Sequence, residues 1–402
     1  PKYKSLSPLS IPIFSELPMD MSVVAGAITL KQQNLLSHVQ LKSRARQTPN
    51  LDISELSGGL SNPLFSSFPD GSWVRMQLDK SGEIKIEASN EAAALAFYNS
   101  KKMPQVTLKS DTSVKTLLAS KDLAAKDAHI VGSKSANYAE LAKILNTHGY
   151  TFVRPGMGVP FFYYEDFIKR NSKIESTISS ILRDPLMNKV AKVEYREKRL
   201  KELQNLMISE TAEVDESLVN ELIALFDTFK TNKGTLRNIK LRSSTNSEDL
   251  PNFNGAGLYT SIAYKPYNTD KTDKKIKIEK TLEEKRNTLK TALRQVWASV
   301  WNLRAFDERN YYRIPHAQVK MGIQVNPTFD NEISDGVVVT KNISGNGKSE
   351  HGVYIEVQRG DKHSVANPEP GAKPQKILVT YDLSSPVSYE NYVIEVLQNS
   401  NI

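Results

Sequence analysis

The stretch from Leu241 to Ser261 constrains this chain more than any other part of it. It reads Leu-Arg-Ser-Ser-Thr-Asn-Ser-Glu-Asp-Leu-Pro-Asn-Phe-Asn-Gly-Ala-Gly-Leu-Tyr-Thr-Ser, with one arginine, six Ser/Thr hydroxyls, an acidic pair and a Gly-Ala-Gly. Neither the helical period of 3.6 nor the strand period of 2 runs through it. Such a loop is dense in hydrogen-bond donors and can approach an anion closely, with Arg242 as a bidentate clamp. In the other reading, Glu248 and Asp249 cap a following helix and the glycines only make turns.

The surrounding sequence supplies an α/β (α+β) frame. Residues 1–21 are an irregular lead-in rich in Pro and Ser. Residues 22–110 read as a small α/β domain, with a β-type run at Val23–Leu30 and a helix-like stretch from Ser37 to Arg46. A hairpin pairs Ser72–Leu78 with Glu83–Glu87, and an Ala-rich helix covers 88–98. A polar linker, 111–128, leads to a larger α/β module over 129–402. There Tyr138, Leu141, Ala142 and Leu145 fall at helical spacing, and further helices are predicted at about 164–183, 190–208, 215–231 and 281–303. Leu218, Leu222, Leu225 and Phe229 mark one apolar face; Leu289, Leu293, Val296, Val300 and Trp301 mark another. Strand-like runs come late, at Lys320–Val325, Val337–Thr340, Val353–Gln358 and Lys376–Tyr381.

Bulk composition removes several function classes. The 402 residues contain no cysteine, which excludes disulfide frameworks, thiolate metal sites and cysteine nucleophiles. No apolar run approaches the roughly 20 residues of a membrane span. The formal charge of +8 is spread along the chain. Its densest run, Lys271 to Lys290, mixes Lys with Glu and Asp and has no stacking aromatics, which argues against a nucleic-acid groove and for a small polyanion as the partner. A reducing cytoplasm is the default location, although a cysteine-free chain tolerates any redox environment, and a start at Pro1 points to a processed or trimmed N-terminus.

Two more segments carry chemistry. In Leu35-Leu-Ser-His-Val-Gln-Leu-Lys-Ser-Arg-Ala-Arg46, Ser37 is a good N-cap, which places His38 in a first helical turn where the dipole favours an anion such as a phosphorylated imidazole. An ordinary capping or surface histidine is the alternative. In Ile130-Val-Gly-Ser-Lys134, Gly132 permits a tight strand-to-helix turn and Lys134 can reach a phosphate. His129, His148, His316, His351 and His363 show no metal-ligand spacing and read as structural.

Together these segments resemble the dikinase superfamily of pyruvate phosphate dikinase, phosphoenolpyruvate synthase and glucan water dikinase. Arg242-Ser-Ser-Thr-Asn-Ser-Glu-Asp-Leu-Pro followed by Gly255-Ala-Gly257 is the most specific match. Leu36-Ser-His-Val with its downstream Arg-Ala-Arg, and Val296-Trp-Ala-Ser-Val-Trp-Asn-Leu-Arg-Ala-Phe306, resemble segments of the glucan dikinases. The resemblance implies an ATP-grasp-like nucleotide-binding module preceded by a phosphohistidine swivelling domain. It also implies that His38 attacks the β-phosphoryl of ATP and passes the group to an acceptor such as pyruvate, a glucan or another small molecule. Lys134, Arg242, Ser243, Thr245, Glu248, Gly255, Gly257 and Asn326 become the nucleotide contacts, and Glu356 becomes the carboxylate for Mg²⁺. A nucleotide-binding regulatory module without turnover is the alternative.

The sequence departs from these relatives at its end. No Gly-Leu-Gly-Glu turn follows Glu356, and neither an Asp-x-Glu strand nor a Gln-x-Arg strand follows Lys376–Tyr381. The departure predicts a fragment or natural truncation, with an open cleft, weak ATP binding, little magnesium dependence and a poorly anchored Arg242 and Gly255–Gly257 loop.

Overall fold

The protein is described here from a computed structural model, covering residues 6–18, 21–31, 40, 43, 46, 48–79, 83–102, 104–150, 153–250, 253–255, 257–269, 276–329, 332–344, 351–359, 365, 373–381 and 392–400. His38 and the helix start expected at Ser37 lie outside the described residues. Two compact units form, Pro1–Leu9 with Ala96–Thr328, and Ser10–Leu95 with Phe329–Ile402. This grouping crosses the boundaries read from composition, which follow chain order whereas compact units need not.

The unit containing 96–328 is built on a five-stranded sheet in the order Ile262–Tyr264, Ile239–Thr245, Met321–Pro327, Met157–Val159, Leu118–Ala119, with every neighbouring pair antiparallel. Every residue of the central strand Met321–Pro327 is buried. Ile239, Leu241, Ile323, Val325 and Val159 alternate onto one apolar face and are fully buried. The helices Phe161–Arg170 and Leu282–Ala298 pack against these strands. Leu289, Leu293, Val296, Val300 and Trp301 are buried as their spacing predicts, and Trp301 Nε1 donates to the Tyr164 hydroxyl at 3.0 Å. In Glu216–Phe226, Leu218 and Leu222 are buried, while Leu225 and, beyond the helix, Phe229 are only half-buried. The helix expected over 164–183 is two, Phe161–Arg170 and Ser172–Arg183, because the Asn171 side chain donates to the carbonyls of Phe167 (2.7 Å) and Glu213 (3.0 Å) and breaks the run.

Against the other face lies the helix Ser133–Thr147. Before Gly132 comes a helical turn, Ala128–Val131, so the expected strand-to-helix turn is a helix-to-helix turn. Its fit depends on missing side chains. A Cβ on Gly322 would stand 2.5 Å from the Val131 carbonyl oxygen, and one on Gly132 would stand 2.1 Å from that of Ser244. Gly132 also has φ +84, a left-handed conformation that glycine adopts without penalty. So close an approach admits only small residues, and Ser135, Ala136 and Ala139 form the buried stripe. The predicted face is corrected accordingly: Leu141 is 52% exposed, and Tyr138 donates its hydroxyl to the Arg154 carbonyl.

In the second unit, Ile13–Phe14, Ala27–Thr29 and Asn50–Asp52 form a parallel sheet in that order. The hairpin predicted around residue 80 is present as Val74–Leu78 paired with Ile84–Ala88. Its Met76, Ile84 and Ile86 pack on a core of Ile28, Leu51, Ile53 and Phe65. A four-stranded antiparallel sheet follows, in the order Ser334–Val339, Val353–Arg359, Gln375–Tyr381, Tyr392–Gln398.

Candidate functional site

The donor-rich loop begins as a strand. Ile239–Thr245 pairs along its whole length with the central strand, which sets Arg242 opposite Gln324 and Ser244 opposite Gly322. Arg242 Nε donates to Asn326 Oδ1 at 3.3 Å. Both partners are therefore held by strand register, the most rigid placement that a sheet offers.

Lys134 arrives from the first turn of Ser133–Thr147. Its Nζ lies 2.6 Å from Glu248 Oε1 and 3.3 Å from Ser243 Oγ. The helix has no cap from its own sequence, and Ser244 Oγ accepts from the Ser135 N–H at 3.0 Å instead. The loop strand thus caps the helix that delivers the lysine. Arg242 also acts on Tyr138, whose hydroxyl is raised by burial while the Arg242 and Arg154 charges pull it back.

The rest of the loop folds back on itself. Asp249–Leu250 pairs with Phe253–Asn254, and the Gly255 N–H donates to the Glu248 carbonyl at 2.7 Å. A Cβ on Gly255 would stand 2.8 Å from Glu248 Cα, so this closure requires glycine. Arg304 donates to the Gly257 carbonyl, and Asn302 Nδ2 to that of Leu258 at 2.7 Å. The expectation of a poorly anchored loop is therefore corrected: backbone and side-chain bonds fix Gly255 and Gly257, and Asn326 holds Arg242.

Lys134, Ser243, Glu248 and Gly255 form one connected group, while Arg242 and Asn326 are joined to each other. Thr245 is buried, and its Oγ1 accepts from the Ser247 N–H at 3.1 Å. From Ser247 the bonds run on through the Tyr259 hydroxyl to Arg309, a structural chain. Glu356 belongs to the second unit, where it is fully buried and its Oε1 accepts from the Tyr354 hydroxyl at 2.9 Å. Among the described residues no three His, Asp or Glu side chains cluster as a metal site.

Sequence reasoning passed over two residues. Arg304 lies within the quoted Val296–Phe306 segment, and its arginine type was the available signal. Gln324 is 1% exposed, and its Oε1 accepts no hydrogen bond among the described residues. Its place opposite Arg242 becomes visible only once the register is known.

A glycine-closed loop at the end of a sheet strand, carrying its own arginine and joined by Lys134 and Arg304 from separate helices, is the form of a protein that binds phosphate-bearing ligands. The sequence model of the family described as pyruvate phosphate dikinase, AMP/ATP-binding domain, matches residues 128–376, more than half of the chain. The chain belongs to this family. A comparison with curated proteins gives no significant match. No helix among the described residues is long and apolar enough to cross a membrane.

Proposed function

We propose that this protein is an ATP-dependent phosphotransferase of the dikinase type. A nitrogen of the His38 imidazole attacks the β-phosphorus, the bond to the α-phosphate breaks to give AMP, and the γ-phosphate leaves as phosphate with water consumed. The phosphoryl group on His38 then passes to a small-molecule acceptor. The observation that carries this reading is that the 241–261 loop, which carries Arg242, is met by Lys134 at Glu248 and Ser243 and by Arg304 at Gly257. Phosphoryl transfer depends mainly on positioning and charge neutralisation, which fixed cations and loop N–H groups supply.

Glu248 keeps Lys134 extended towards Ser243 rather than into solvent, and Arg304 fixes Gly257. Mg²⁺ would neutralise the charge on the phosphates. In kind, a carboxylate such as that of Glu356 suits this hard cation, which takes oxygen ligands.

The test is incubation with ATP labelled at the β-position, followed by assay of acid-labile label on the protein. His38→Asn should abolish labelling and leave nucleotide affinity close to that of the parent. Undiminished labelling would remove His38 as the nucleophile. Nucleotide binding without labelling of the parent would favour the regulatory reading.

A further inference from the structure

A cavity of about 280 Å³ lies in the 96–328 unit, and none of the residues assigned above to the nucleotide lines it. Its lining carries Lys102, Arg196, Arg309 and Arg313 against a single carboxylate, Asp307. The first question is which of these charges are already matched.

Arg196 and Arg309 are committed internally. Arg196 Nε donates to Asp307 Oδ1 at 2.8 Å, and Arg309 donates to His316 Nδ1, Tyr259 and the Val300 carbonyl. Lys102 and Arg313 differ, since neither has an ion-pair partner among the described residues. Lys102 instead lies over the Tyr98 ring, 5.1 Å from its centroid. Burial lowers the Lys102 ammonium below the usual lysine value, and the Arg313 charge lowers it further. Two cations at one cavity whose single carboxylate, Asp307, is already paired with Arg196 repel each other, and a bound anion turns that repulsion into attraction.

Arg313 adds an independent observation. It follows the helix Leu303–Tyr311 and has φ +52, the one positive φ among the described non-glycine residues. Glycine is the usual residue at that place after a helix, and an arginine there costs on the order of 1 kcal/mol in backbone strain. Asp307 completes the lining. It is 3% exposed, and its Oδ2 accepts no hydrogen bond among the described residues, so the cavity holds an unused acceptor as well as unmatched cations.

We propose that this cavity is a second ligand site, for a small phosphate monoester bearing a hydroxyl or N–H donor. The phosphate lies between Lys102 and Arg313, and the donor bonds to Asp307 Oδ2. A volume of about 280 Å³ sits just under the roughly 300–1,000 Å³ range of drug-sized clefts, which suits a molecule smaller than ATP. The proposal stands whether or not His38 is a nucleophile.

The experiment is calorimetric titration of the full chain with glycerol 3-phosphate and with methyl phosphate, each with and without a saturating non-hydrolysable ATP analogue. We expect one site for glycerol 3-phosphate, unaffected by the analogue and by Arg242→Ala. Lys102→Met and Arg313→Gly should each weaken it about three- to tenfold, the range for partly exposed charge contacts. Arg313→Gly suits the observed φ, so its fold should survive. Methyl phosphate, which lacks the donor, should bind more weakly. Full affinity in both cavity variants, loss of binding in Arg242→Ala, displacement by the ATP analogue, equal affinity for the two phosphates, or no binding at all would each overturn the assignment.

Discussion

In the sheet spanning residues 118–327 the buried strands carry Ser243, Ser244, Thr245, Gln324 and Asn326, whereas in the sheet spanning 334–398 Val338, Val393, Ile394 and Val396 are more than half exposed. Scattered apolar exposure is ordinary for a protein surface. Polar burial is not, because each group needs a partner to offset its lost hydration. In the first sheet most of these partners are present: Ser244 caps a helix, Asn326 holds Arg242 and Thr245 serves Ser247. The second sheet also buries Glu356 and Gln358, so the difference that teaches where to look for chemistry lies in the partners, which in the first sheet reach a helix and a neighbouring strand. The family's loop continues a strand of the first sheet whose buried polar side chains are bonded.

The largest effect should come from removing one half of a buried ion pair. Arg196 and Asp307 are 2% and 3% exposed and meet at 2.8 Å. Arg196→Met should cost about 3–5 kcal/mol in urea unfolding, because it leaves a buried carboxylate without its cation. A second change, Asp307→Leu, should recover most of that loss. Unchanged stability in the single variant would break the claim that this unit's interior polar groups depend on their partners.

Next comes Gly132→Ala, which meets the Ser244 carbonyl and a positive φ together. It should lose about 2–4 kcal/mol and weaken nucleotide binding as the helix carrying Lys134 shifts. A neutral outcome would mean that the turn lies farther from the sheet than the structure shows.

Smaller and more selective effects belong to the ligand contacts. Lys134→Ala and Arg242→Ala should each weaken ATP about ten- to a hundredfold, or roughly 1.5–3 kcal/mol, with adenosine nearly unaffected. Parallel loss of both ligands by equilibrium dialysis would indicate a folding defect instead.

The smallest effect sharpens the comparison from the other side. Val338→Thr and Val396→Thr, at 61% and 52% exposure, should change the unfolding midpoint by no more than about 0.5 kcal/mol. A loss several times larger would show that this face is covered in solution.

How much could be read beforehand varied with the range of the interaction. Leu289, Leu293, Val296 and Val300 declared their buried face through spacing alone, because one helix repeats the same environment every turn. The hairpin of Val74–Leu78 with Ile84–Ala88 was equally local. Ser133–Thr147 was recognised as a helix but assigned the wrong face, since the approach of Gly132 and Ser135 to Ser244, more than a hundred residues away, turns the small residues Ser135, Ala136 and Ala139 to the sheet. The break at Asn171 was hidden for the same reason, because it depends on a bond to Glu213.

The sequence by itself determined the residue types of the site. Arg242, Lys134, Glu248 and the two glycines are chemically suited to phosphates wherever they stand, and their unusual density in 241–261 marked the loop before any folding was considered. Tertiary structure alone decided which of them meet. The Lys134 to Glu248 contact spans more than a hundred residues, and the alignment of Arg242 with Gln324 is a matter of strand register, where a slip of one residue would turn each side chain to the opposite face. Arg304 entered the site for the same reason: its bond to Gly257 exists only because a helix start and a loop 47 residues earlier are packed together.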